Sequence, residues 1–215
     1  MGETMRFLTT FVALGLAVSP TLASADEVES AITEALESYR AKRPEVAASA
    51  LKSALQRIRQ QQSDQVAHAF PPPLPGWSVK NVHETDSEVP EVGSSVSLGS
   101  RLYMSDADHH SMSILMYRHS VTSGERGSRI FIQGAEKRAV RGHSAYLKWK
   151  DRKPGAGKHD EEEDWQNRML IVRVDPVIEV WLVAFRGTSL ETLNRYAEAV
   201  DYDVLERFSE KLMDE

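Results

Sequence analysis

The chain contains no cysteine. Disulfides, thiolate metal sites, cysteine nucleophiles and a lipid anchor on an N-terminal cysteine are therefore excluded. Positive charge is not in excess either: 26 Lys and Arg stand against 32 Asp and Glu, a net charge of −6. With a pI near 5.7, the molecule as a whole is not a general nucleic-acid binder. No Asn-x-Ser/Thr sequon occurs, and after the first 25 residues no apolar run reaches the length that spans a bilayer. What is there is ordinary: 215 residues, 41% hydrophobic and 27% charged. That composition argues against a collagenous, wholly coiled-coil or disordered chain, and suits one large domain or a domain with an appendage.

Phe7 to Val18 is an uncharged apolar run, and Ala23-Ser24-Ala25 follows it. Small residues at Ala23 and Ala25 fit the A-x-A rule of signal-peptide cleavage, with Asp26 as the first mature residue. The n-region is weak, because Glu3 offsets Arg6. The run is too short to cross a hydrocarbon core of roughly 30 Å as a helix. Residues 1–25 are thus expected to be a signal peptide, and the mature protein to be soluble, exported and not stably inserted in the membrane. The bacterial character of the signal and the missing sequons point to the periplasm.

Residues 26–70 read as a helical hairpin. Asp26, Glu27 and Glu29 favour the start of a helix, and Ile32, Leu36 and Tyr39, with Ala35, form a stripe at spacings of three and four. Pro44 suits the first turn of a second helix. That helix carries Val46, Ala47, Ala50, Leu51, Ala54, Leu55 and Ile58 on one side. Pro71-Pro72-Pro73-Leu74-Pro75 then enforces an extended strut, so residues 71–76 are expected to be a linker, with Trp77 plugging into the next core.

Residues 77–208 are expected to form a mostly β domain, with 209–215 as a tail. Val96, Leu98, Leu102 and Met104 alternate with polar neighbours, as do Met112, Ile114 and Met116. Arg138 to Arg141 turns through Gly142-His143 into Ala145, Leu147 and Trp149. Met169 to Val174 and Val177 to Phe185 are apolar on both faces, as central strands covered on both sides would be. Thr188-Ser189-Leu190-Glu191 has capping-box spacing, with Thr188 as the expected cap. The expected fold is α+β: a hairpin, an antiparallel sheet of about five or six strands, and a C-terminal helix that closes it.

The order of helix pair, PPLPGW, VRGHSAYLKW and GTSLETLNRYAEAVDYDVL resembles uncharacterised periplasmic proteins of proteobacteria, over most of residues 26–208. The resemblance implies a short helical segment before a compact sheet closed by a helix. Its motifs are structural, so it implies no catalytic residue.

Candidate chemistry is sparse. Asp106-x-Asp108-His109-His110 offers ligands that suit zinc, copper or nickel, but neighbours on a strand point opposite ways, and a polar hairpin tip is the plainer reading. The run His159 to Asp164 is rich in oxygen ligands yet lacks EF-hand spacing, so residues 151–164 read as a solvated, mobile loop. Pro154 to His159 fails the phosphate-loop pattern at its first glycine and last hydroxyl positions. Gly142-His143-Ser144 lacks the second glycine of a nucleophile elbow, and Ser49-x-x-Lys52 lacks its partner motifs. No cofactor, metal or catalytic residue is expected. The leading expectation is a non-enzymatic interaction or binding protein of the cell envelope, with an unidentified protein or an apolar small molecule as partner. A lipid-like carrier and a metal-dependent hydrolase using His109 and His110 are the alternatives. The expected surface comprises Leu51, Leu55 and Ile58 with Trp181, Val183 and Phe185. The C-terminal helix can cover only one face of the central strands, through Leu190, Leu193, Ala197 and Val200.

Overall fold

Among the described residues there are seven strands: β1 (Trp77–Asn81), β2 (Val96–Ser105), β3 (Ser111–Arg118), β4 (Glu136–Val140), β5 (His143–Trp149), β6 (Arg168–Arg173) and β7 (Ile178–Phe185). They form one antiparallel sheet in the order β1-β2-β3-β7-β6-β5-β4. The helices are α1 (Pro20–Arg40), α2 (Pro44–Val66), α3 (Leu190–Ala199) and α4 (Tyr202–Met213). The computed structural model describes residues 20–81, 95–107, 110–119, 132–150, 168–185 and 187–213. These residues fall into two units, one ending at Ile58 and the other beginning at Arg59. The α+β class is as expected, with seven strands among the described residues where about five or six were expected. The additional strand is the segment opened by Trp77, which pairs with β2 rather than only plugging a core.

In the sheet unit, the two apolar strands β6 and β7 lie side by side near the centre. Ile178, Val180, Leu182 and Ala184 of β7 face a large core shared with Leu98, Met112, Ile114 and Met116. Leu193, Tyr196, Ala197, Val200, Leu205 and Phe208 cover that core. Tyr117, Met169, Ile171, Trp181 and Val183 form a second buried cluster, against which Leu115, Ile132 and Phe185 pack. Alternation along β7 explains the split, because successive side chains of a strand leave opposite faces of the sheet.

The C-terminal end departs from expectation in two ways. Ser189, not Thr188, caps α3: its hydroxyl accepts from Thr192 N at 3.1 Å. The Thr188 hydroxyl is buried and donates to the Ser111 carbonyl at 2.8 Å, so it ties the helix entrance to β3 instead. The final helix also runs to Met213, with Ser209 buried and Leu212 against the core, where a tail from 209 was expected.

The proline strut belongs to this unit. The Tyr103 hydroxyl donates to the Pro71 carbonyl at 2.8 Å, and Leu74 N donates to the Tyr196 hydroxyl at 3.1 Å. Tyr196 also meets Trp77 edge-on at 5.7 Å and Tyr103 at 4.6 Å. Val66, Ala69 and Phe70 are buried in the same core, so the end of α2 folds with the sheet. The β4–β5 hairpin closes through Arg141 and Gly142 at φ +47° and +89°. Two positive φ values mark the turn whose twist matches the flanking strands, which is why glycine stands at the second position.

Burial pushes the Tyr103 hydroxyl up to about 12, against an opposing effect of Arg101. Burial likewise raises Tyr117, Tyr196 and Tyr202 above the usual value of 10. Between that value and the folded ones, the unfolded chain loses phenolic protons that the folded chain keeps, so stability falls as pH rises. Urea midpoints should therefore hold steady from about pH 8 to about pH 10 and then drop. Tyrosinate absorbance from these residues should appear together with unfolding. Titration of Tyr103, Tyr117, Tyr196 and Tyr202 near pH 10 while the protein stays folded would contradict this core.

Candidate functional site

The hairpin is built on small residues. Ala35, Ser38, Ala47, Ala50 and Ala54 are its buried side chains. The connection is tight: Arg43 N donates to the Ser38 carbonyl at 2.9 Å, and Lys42 takes φ +58°. The helices run antiparallel, with Arg57 ion-paired to Glu27 at the far end. A seam of small side chains lets two helices approach closely, and so leaves the larger apolar side chains no place inside it.

Those side chains are outside. Ile32 is 47% exposed, Leu36 48%, Tyr39 70%, Leu51 54% and Leu55 47%. Their arrangement follows from helix geometry. Each residue turns the helix by about 100°, in the same sense as seen along the chain. In an antiparallel pair, the residue just after a seam position therefore falls on the same face of the hairpin in both helices. Ile32, Leu36 and Tyr39 each come just after, or one turn along from, Ala35 and Ser38 in this way. Leu51 and Leu55 follow Ala50 and Ala54. The five form one face, whereas Val46, which precedes Ala47, is exposed on the other.

A second feature lies in the sheet unit and has a different character. The Ser95 hydroxyl is 2.7 Å from His119 Nδ1. On the other side of the ring, Nε2 is 3.0 Å from Glu179 Oε2, with both side chains buried. Glu179 also accepts from Arg173 Nε at 2.9 Å and from Trp181 Nε1 at 2.9 Å. Hydroxyl, imidazole and carboxylate in a row are the components of a proton relay. Here, however, His119 Nε2 is not aligned for a hydrogen bond to the carboxylate. The carboxylate is held by the guanidinium and the indole, and His119 N donates to the Val177 carbonyl at 2.7 Å. Asp175 adds a turn clamp, accepting from Val177 N and Ile178 N at 2.7 Å each. The group ties together the neighbouring ends of β2, β3, β6 and β7.

The expected surface residues fall into both units. Leu51 and Leu55 are exposed on the hairpin and Ile58 is half-buried. Trp181 and Val183 are buried in the second cluster of the sheet unit, with Phe185 half-buried against it. His109, Asp108 and the run 159–164 lie outside the described residues, as do residues 1–19 and the whole of 151–164. His110 is described, and its ring fills the space where a Cβ on Gly187 would stand. Among the described residues, no three His, Asp or Glu side chains gather as metal ligands. No helix among them is long and apolar enough to cross a membrane. Comparison of the chain with protein-family models, curated proteins and solved structures finds no match.

Sequence reasoning missed the His119–Glu179 group, although a signal existed. Glu179 is the single charged residue in the run from Val177 to Phe185. An acid in a strand that is apolar on both faces requires buried partners. The alanine seam had a signal as well, in the spacing of Ala47, Ala50 and Ala54. The sequence reading placed those alanines and the leucines on one broad side, where the structure separates a seam from a face.

Proposed function

We propose that this protein is an exported, periplasmic, non-enzymatic interaction module whose working surface is the apolar face of the α1–α2 hairpin. The observation that carries this reading is the exposure of Ile32, Leu36, Tyr39, Leu51 and Leu55 together on one side of a hairpin already closed by alanines. Contiguous apolar surface of several hundred Å2 is seldom left bare unless something binds there. The A-x-A site before Asp26 supports export, and cleavage there leaves the whole face on the mature chain.

The test uses an environment-sensitive apolar dye with the purified exported protein in dilute solution. Emission should rise on binding, and Leu36→Glu with Leu55→Glu should abolish the rise without moving the melting temperature. Both side chains are exposed, so their replacement should change stability by less than about 0.5 kcal/mol. A dye signal unchanged in the double variant, or absent from wild-type protein that is monomeric at the concentration used, would sink the reading. The intact mass of the same preparation checks export, since it should begin at Asp26.

A further inference from the structure

We infer that the occupant of the hairpin face is the same face of a second copy of this chain, the two hairpins forming a four-helix bundle; this rests on the docking reading above. Three observations lead there. The first is size. Five large side chains about half exposed offer roughly 500 Å2 per copy, so a pair would bury about 1,000 Å2, the smallest area at which specific association is usual. The second is shape. Two antiparallel helices with one apolar face each make half of a bundle, and a two-fold axis closes it without leaving a free face.

The third is charge. The helical rotation that places Ile32 and Leu36 on the face puts Glu29 and Arg40 along its outer border on α1. It puts Lys52 and Glu45 along the outer border on α2. All four side chains are exposed, and neither Glu29 nor Lys52 has an ion-pair partner among the described residues. The Arg57–Glu27 pair fixes the level of the two helices, so that Glu29 stands within about one turn of Lys52 in height and Arg40 within one residue of Glu45. Within one hairpin these charges lie on opposite outer edges and do not meet. A two-fold axis parallel to the helices lays α1 of one copy across α2 of the other. Glu29 then faces Lys52, Arg40 faces Glu45, and each pair occurs twice. The same border presents both signs at matching heights, which is what a self-complementary surface requires and a partner of one sign does not.

Sedimentation of the purified exported protein over a wide concentration range tests this. A reversible dimer is expected. Leu36→Glu should give a folded monomer that melts where the wild-type protein melts when diluted below its dimer dissociation constant. Glu29→Lys and Lys52→Glu should each raise the dimer dissociation constant several-fold, and the two together should restore it, because the swapped charges again face each other. Glu29 and Lys52 are exposed, so these variants stay informative even if Leu36→Glu fails to fold. A monomer at every concentration, a dimer that persists in Leu36→Glu, or a double charge variant no better than the singles would overturn the inference. A monomer that still takes up the apolar dye would remove the dimer and leave the docking reading standing. A monomer without dye uptake would remove both.

Discussion

Replacing Glu179 with Ala should destabilise the sheet unit by about 3 kcal/mol, the lower end of the cost of breaking a buried charge pair, because Arg173 is partly exposed. The carboxylate is buried and accepts from Arg173 Nε and Trp181 Nε1, with His119 Nε2 at ion-pair distance. Without it, the Arg173 guanidinium and the Trp181 indole N–H each lose the acceptor that Glu179 provides. Trp181 is buried and Arg173 partly exposed, so the cost falls mainly at the indole and in the cavity left by the carboxylate. Glu179→Gln should cost less, because its amide oxygen still accepts one hydrogen bond and no cavity is left. Urea unfolding followed by Trp fluorescence measures both variants, and Trp181 reports the site directly. A loss below about 1 kcal/mol for Glu179→Ala would mean that the four strand ends are held by packing alone and that the polar group is incidental.

Ending the chain after Asp201 should unfold the sheet unit outright. The removed helix carries Tyr202, Leu205 and Phe208, all buried in the main core. At about 1.5–3 kcal/mol for each large apolar side chain, the loss is on the order of 5 kcal/mol or more. That is comparable to the whole stability of an ordinary domain. It would also remove the hydrogen bond that the Tyr202 hydroxyl donates to the Ala197 carbonyl, 2.9 Å long. Ending after Phe208 keeps those anchors and should cost only about 1–2 kcal/mol, for Leu212 and the last turn. Circular dichroism melting of the two shortened chains separates the cases. Cooperative melting of the chain that ends at Asp201, at a temperature near that of the whole protein, would show that α4 is an accessory rather than a cover.

The two results bear on function as well as on folding. If the sheet unit is complete with α3, α4 and its own strut, it does not need the hairpin's large apolar residues for its main core. Those residues are then available for association. The hairpin in turn needs only its alanine seam to close, which is why Leu36 and Leu55 can be changed to acids at little cost.

Much of this architecture is legible in the sequence alone. Alternation of apolar and polar residues located β2 and β3, because a strand half covered by other layers writes a period of two into the sequence. Unbroken apolar runs identified β6 and β7 as central, because strands covered on both faces have no polar side to show. Pro44, the proline run and Gly142 marked boundaries through restrictions that belong to single residues and need no context. Those are local properties, and local chemistry determines them.

What only the tertiary structure decided depends on distance between parts of the chain. Thr188 and Ser189 are both competent caps. The choice fell to Ser189 because Ser111, 77 residues earlier, brings a carbonyl to the Thr188 hydroxyl. Ser95, His119, Arg173 and Glu179 are scattered in sequence and become one group only when β3 pairs with β7 and β6 pairs with β7. The apolar stripe of the hairpin was legible, but not which part of it would be consumed. A stripe of small and large residues can close a helix pair through either. Helix packing put the alanines in the seam, where close approach gains most contact, and left Ile32, Leu36, Tyr39, Leu51 and Leu55 outside.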